Sequence, residues 1–451
     1  MQRLPTLLAT LGMLVVATPK SDAASFMVLG DLPGRDLFSL ALDVSDDGSV
    51  VAGFSYWGNA YQAVRWNREG QISRLPNLDG REDESFAQSV SNDGSVIVGY
   101  FDRNRAFRWT SDEGVVEIEN PYFQSGFDIA YDVSADGSVV VGRAGISALM
   151  VNAFRWTEDS GMVPLEAMPG AELESNTGSR AYAVSADGSV IVGRAETPDD
   201  GDRAFRWTAA EGMISLGVLS ETDDRSQAKD VSADGSVVVG VVDRPEGSVA
   251  FRWTVEDGMV ALDSTSLRFS SAAAVSADGS VVIGTGKFET SDEYVAFIWD
   301  DVHGRRTIDS VLTQELGIDL QGWSLGRPRG ISSDGLTVVG SGINPSGGEE
   351  AWIANLAVPG DADGDGVVDR ADVAVLLDNF GTRSGASFSQ GDFDHDTAVT
   401  LRDLLILKSN LSNDMTASRS ASALSVPEPA TLNLVILGLI GCAARWRRGR
   451  R

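Results

Sequence analysis

The residues best spaced to do chemistry are the aspartates of two short stretches near the C-terminal end. In D-A-D-G-D-G-V-V-D-R-A-D, Asp361, Asp363, Asp365, Asp369 and Asp372 stand at positions 1, 3, 5, 9 and 12. Gly366 holds position 6, where a calcium loop turns sharply, and Val367 offers its carbonyl at position 7. Ca2+ is a hard cation that takes about six to eight oxygens, and this set supplies them. A second stretch, D-F-D-H-D-T-A-V-T-L-R-D, offers Asp392, Asp394, Asp396, the carbonyl of Ala398, and Asp403. There Thr397 replaces the turn glycine and Thr400 the acid at position 9, so a weaker or less regular site is expected. His395 falls on a non-ligand position.

Each stretch is followed by apolar residues at helical spacing. Val373, Leu376, Leu377 and Phe380 predict one face of a first helix, and Leu404, Leu407 and Leu411 mark a second. This duplicated loop–helix resembles a type I dockerin. The resemblance implies calcium-dependent folding and docking to a cohesin-like protein. Where that family often carries Ser or Thr at contact positions 10 and 11, this chain has Arg370-Ala371 and Leu401-Arg402.

The elements ahead of these loops are repeats. V-S-A-D-G-S-V-V-V-G at Val133–Gly142 recurs seven times with small changes, and its aspartates are Asp47, Asp93, Asp136, Asp187, Asp234, Asp278 and Asp334. Spacings of 43 to 56 residues suit a four-stranded propeller blade. In one unit, Ala181–Val184, Ser189–Val192, Ala204–Thr208 and Met213–Leu216 read as four strands. S-x-D-G reads as the turn after the first, and Phe205 and Trp207 should face opposite to Arg206. The last unit stops near Leu356, after its third strand. The segment Met27–Leu32 resembles the missing fourth strand, so the N-terminal strand is expected to close the ring.

The paired V-S-x-D-G-S-V-V-x-G and A-F-R-W-T segments resemble the extracellular HAF repeat family. That resemblance implies a secreted or surface propeller with no assigned activity. The fold expected is therefore all-β: a seven-bladed β-propeller of four-stranded blades closed by the N-terminal strand, followed by a small all-α calcium-binding dockerin-like domain.

Residues present once per blade lie about 50° apart round a seven-bladed ring. The repeated aspartates and arginines are therefore expected to be structural, unless they line the channel. No catalytic residue is assigned. The long inter-strand segments hold Glu172, Glu174, Glu289, Asp292, Glu293, Tyr294 and Trp323. Carboxylates paired across a cleft would suit glycoside hydrolysis, and acidic loops are also ordinary on so acidic a protein. A carbohydrate-active enzyme, a glycoside hydrolase or polysaccharide lyase recruited through the dockerin, is the alternative to a binding scaffold. His303 has no nucleophile or metal-ligand companion at a telling spacing.

Both ends read as signals. Arg3, the apolar run Leu4–Ala17 and small residues near Ala23 and Ala24 predict a cleaved signal peptide over 1–24. At the other end, V-P-E-P at Val426–Pro429, an apolar run from Ala430 to Ala444 and five arginines resemble the PEP-CTERM sorting signal. That resemblance implies an exosortase-type sorting protease and delivery to the cell surface or extracellular matrix. Membrane contact is expected only through this short C-terminal helix. The expected domains are a propeller over 25–357, the calcium module over 358–412, a Ser/Ala-rich linker over 413–425, and the sorting signal over 426–451.

Of 65 acidic and 36 basic residues, the end segments hold two and seven, leaving 63 and 29 in the body. Its net charge of about −34 repels nucleic acid and leaves an extracellular polysaccharide among the expected partners. The sole cysteine, Cys442, lies in the apolar tail, so the body has no disulfide.

Overall fold

A computed structural model describes residues 24–411, apart from 35–36, 77–83, 102–104, 124–126, 148–149, 170–177, 198–200, 263–266, 289–292, 359, 363–367 and 394–397. The signal peptide, the linker and the sorting signal lie outside the described residues. Among the described residues, no helix is long and apolar enough to cross a membrane.

Residues 25–355 form seven separate four-stranded antiparallel sheets. Six are consecutive meanders, such as Ser179–Val184, Val190–Thr197, Gly201–Thr208 and Gly212–Gly217. In the seventh, Ser324–Ile331, Thr337–Ile343 and Glu349–Asn355 are completed by Ser25–Val28, with Phe26 opposite Ala354 and Val28 opposite Trp352. The first and last strands of the propeller thus share a blade, as the sequence predicts, and that sheet has no missing strand to leave open. The first strands of neighbouring blades pack against one another all the way round, the first blade against the last. They line the axis.

The core lies between blades. Phe205 is fully buried in a cluster that combines Ile191 and Ala181 of its own blade with Val139, Val141 and Ala153 of the preceding one, and Trp207 packs against it. Trp352 takes the phenylalanine position in blade seven and is equally buried. The glycine ending each V-V-x-G has a close-approach role. A Cβ on Gly193 would lie 1.9 Å from the carbonyl oxygen of Arg180, and one on Gly142 1.9 Å from that of Ile129. Only glycine lets the first strand cross so near.

Opposite these glycines the first strand carries a β-bulge, as between Ala41 and Asp43, Ala130 and Asp132, and Ala228 and Asp230. The extra residue re-aims the side chains that follow it. Between blades six and seven, the sequence reading missed a short helix, Ile308–Ser310, capped by Thr307 and continued by a wide turn over Val311–Glu315. Three residues are too few to show a helical period.

Beyond the propeller, helices Arg370–Asn379 and Leu401–Asn410 follow the two acidic stretches. Val373, Leu376, Leu404 and Leu407 are buried as expected, joined by Ile406 and Phe393. Leu377 and Phe380 are each 38% exposed, contrary to the expected apolar face. The helix ends at Asn379 and Phe380 turns to extended backbone, so the i+7 position is no longer on the helix.

Candidate functional site

The two acidic stretches repeat one hydrogen-bond pattern. Asp372 accepts from the Ala362 amide at 2.6 Å on Oδ1 and from the Asp369 amide at 2.7 Å on Oδ2. Asp403 accepts from the Phe393 and Thr400 amides, both at 2.7 Å, on the same two oxygens. Position 9 caps the helix in both: Asp369 accepts from the Ala371 amide at 2.7 Å, and the Thr400 hydroxyl from the Arg402 amide at 3.1 Å. Thr400 therefore takes over the capping role of the acid, with a longer bond. Asp361, Asp372, Asp392 and Asp403 are all buried, the position-12 pair completely.

Burying a carboxylate is costly unless hydrogen bonds and an opposite charge compensate it. Amides bond to both oxygens of each position-12 carboxylate, and Asp403 Oδ2 also accepts from the Thr400 hydroxyl at 3.1 Å. Positions 1 and 12 of both stretches thus present buried carboxylate oxygens, the donor type that Ca2+ takes. Asp363, Asp365, Val367, Asp394 and Asp396 lie outside the described residues, while Ala398 is described and half-buried. Among the described residues, no group of three or more His, Cys, Asp or Glu side chains converges on one point.

The repeated turn aspartates are structural, as their regular spacing predicts. Asp187 Oδ1 accepts from Ser185 Oγ at 2.8 Å and the Ser189 amide at 2.9 Å, and Ser185 Oγ accepts from the Val190 amide. These bonds, those from Ser189 foremost, hold its carboxyl below the usual range. The residue before each aspartate joins its blade to the next. Amides of Asp46, Asn92, Ala135, Ala186, Ala233 and Ala277 each donate to the following blade's carbonyl at 2.9–3.1 Å. Ser333 Oγ, on blade seven, donates to Asp46 on blade one and completes the circle. The repeated arginines are also engaged: Arg206 pairs with Glu211 at 3.2 Å and Arg108 with Glu113 at 3.3 Å.

A second set of aspartates was missed by sequence reasoning. Asp43, Asp132 and Asp230 precede the bulged strand's final valine in blades one, three and five. Asp43 takes the amides of Val44 and, on the next blade, Val90 at 2.8 and 2.9 Å. Asp230 takes those of Val231 and Val275, both at 2.8 Å. Asp132 takes Val184 at 2.8 Å as well as Val133. Three carboxylates thus serve six blades in pairs, and Ser89 Oγ bridges Asp43 and Asp132 at 2.8 and 2.7 Å. Desolvation, then the charge of Asp132, pushes Asp43 up to about 7 and Asp230 up to about 8. Blade seven has Gly330 here, where a Cβ would come 2.8 Å from the Cα of Asp43. The signal was present as D-V in alternate repeats.

Among the described residues, the long segments bring no catalytic pair together. Glu172, Glu174, Glu289 and Asp292 lie outside the described residues. Glu293 and Tyr294 are exposed, and Trp323 packs edge-on to Phe26 at 5.8 Å between ring centres. His303 hydrogen-bonds to Asp300 at 2.9 Å.

The fold thus defines a seven-bladed β-propeller. No family model matches the sequence, and no curated protein matches it. Among solved structures, an oligogalacturonate lyase from Vibrio parahaemolyticus is similar over 74% of this chain and 97% of its own, at 11% identity and a TM-score of 0.49. An oligogalacturonate lyase in complex with manganese is similar over 76% and 98%, at 14% identity and 0.48. TolB from Acinetobacter baumannii is similar over 68% and 79%, at 12% and 0.37. Likeness at this level carries no argument about activity, metal or ligand.

Proposed function

We propose that this chain is an exported, non-catalytic surface or matrix protein. Its propeller serves as a binding scaffold, and its two acidic loops form a Ca2+-dependent protein-interaction module of dockerin type. The observation that carries this reading is the shared pattern of the two loops, each seating a fully buried position-12 aspartate on two backbone amides. Calcium would add positive charge beside these buried carboxylates and so order the loops against the helices. A cohesin-like protein is the partner proposed. Export through the N-terminal segment and sorting by an exosortase-type protease belong to the same reading.

The test is calorimetric titration of the full chain with CaCl2. Two binding events are expected, the first loop tighter. Asp363→Asn with Asp365→Asn should remove the tighter one and leave the other. Unchanged stoichiometry and affinity in that double variant would refute the assignment.

A further inference from the structure

The first-strand bulges give the channel a layered lining. The residue before each position 43, 132 or 230 is the bulged one, and in blades three, four, five and seven it is Tyr131, Tyr182, Lys229 and Arg329. These side chains meet across blades. The rings of Tyr131 and Tyr182 are 5.3 Å apart, and Lys229 Nζ lies 4.7 Å over the Tyr182 ring. The charge of Arg180 acts on Tyr182, and those of Arg194 and Arg329 both act on Lys229. Arg329 in turn faces Arg327.

On a body of about −34 net charge, this gathering of cations is anomalous. Part of it is neutralised: Arg194 pairs with Asp202, Arg327 lies 3.7 Å from Glu349, and Asp243 acts on Lys229. Among the described residues, Arg180 and Arg329 have no carboxylate within ion-pair distance. Burial first, then like charges, holds the Lys229 ammonium and the Arg329 guanidinium below their usual ranges. The other end of the first strands is different: there backbone amide bonds join the blades from Asp46 through Asn92, Ala135, Ala186, Ala233 and Ala277 to Ser333. The strand ends that carry the variable connections lie at the cationic mouth, whereas the S-x-D-G turns lie at this other end.

We propose that this mouth binds an acidic oligosaccharide, with Arg180 and Arg329 taking ring carboxylates and Tyr131 and Tyr182 stacking on sugar faces. Guanidinium forks match carboxylates in two-bond geometry. Aromatic faces with a polar tip suit a ligand whose rings are apolar on one side and hydroxylated at the edge. The many-charged character of such a chain matches cations on several blades at once, which a single small anion does not.

The experiment is binding of mannuronate, galacturonate and glucuronate tetrasaccharides to the full chain by calorimetry. It is run in chelator, so that the calcium loops contribute nothing and the two readings fail separately. Mannose, galactose and glucose tetrasaccharides and inorganic phosphate serve as comparison ligands. At least one uronate should bind, weakening with salt, while its neutral counterpart and phosphate bind at least tenfold more weakly. Arg180→Gln with Arg329→Gln should weaken uronate binding at least tenfold, and Arg206→Gln, on a third strand, should leave it unchanged. Thermal melts confirm that each variant is folded. If the double variant does not fold, Tyr182→Leu takes its place with the same expected loss. Binding of no uronate, equal binding of neutral sugars, or full affinity in the folded double variant would overturn the proposal.

Discussion

The propeller uses aspartate at two places four residues apart on the same chain segment, with opposite consequences. In blade five, Asp234 sits in the turn and Asp230 in the channel wall. The turn aspartate is near the surface and receives serine hydroxyl and amide bonds from its own turn, which favour its charge. The channel aspartate receives two amide bonds as well, yet desolvation and two other carboxylates outweigh them. Hydrogen bonding alone does not set the ionisation of a group; its neighbours and its access to water decide which contribution wins. Local capping can be repeated in all seven blades, because each copy is independent. The channel role cannot, because the copies meet at the axis. Three aspartates in alternate blades already satisfy six amides, and the seventh position is glycine.

The sharpest way to break that account is to add a fourth carboxylate. Gly330→Asp places a side chain where a Cβ is already 2.8 Å from the Cα of Asp43, beside that residue's own carboxyl. Overpacking and charge burial together should cost about 3 kcal/mol or more in a chemical-denaturation experiment. A variant as stable as the parent would show that channel crowding does not dictate the alternation.

The two sets also differ in how legible they were. Ser185, Asp187 and Gly188 form a complete turn within four residues, so spacing alone predicts their hydrogen bonds. Ring closure was legible for a similar reason: Met27–Leu32 has the pattern of a fourth strand and the last unit lacks one. Asp43, Asp132 and Asp230 contact residues 45 to 52 positions away in sequence, on the next blade. Their role follows from the bulge, which brings both the aspartate and the residue before it to the axis, and a simple two-residue strand period hides that. The same shift concealed Tyr182, Lys229 and Arg329. In the helical module, the position-12 aspartates were recognisable from loop spacing, but the exposure of Leu377 and Phe380 depends on where the first helix stops.

A pH titration of stability separates the two sets in one measurement. A turn carboxyl held low contributes stability above its unfolded value, near 4, and loses it as pH falls through the folded value. A channel carboxyl held high does the reverse: its contribution is complete below about pH 4 and is lost as pH rises through about 7 for Asp43 and 8 for Asp230. The melting temperature should therefore fall as pH rises from about 5 to about 8 and then level off. In Asp230→Asn the loss of unfolding free energy over the same range should shrink by on the order of 1–2 kcal/mol. An unchanged slope in Asp230→Asn would remove this residue from the titration.

The smallest expected effect tests the independence of the turns. Asp187→Ala removes the acceptor for Ser185 Oγ, which is buried, and for the Ser189 amide, which is exposed so that water replaces the lost partner. The cost should be about 1 kcal/mol by denaturant melt, and the same substitution at Asp234 should cost the same. The two turns lie in adjacent blades joined only by the bond from the Ala186 amide to the Ala233 carbonyl, which neither substitution removes, so the double variant should show the sum of the single costs within about 0.5 kcal/mol. A clearly non-additive result would mean that the ring of amide bonds through Ala186 and Ala233 couples the turns. The turn aspartates would then act collectively, as the channel aspartates do.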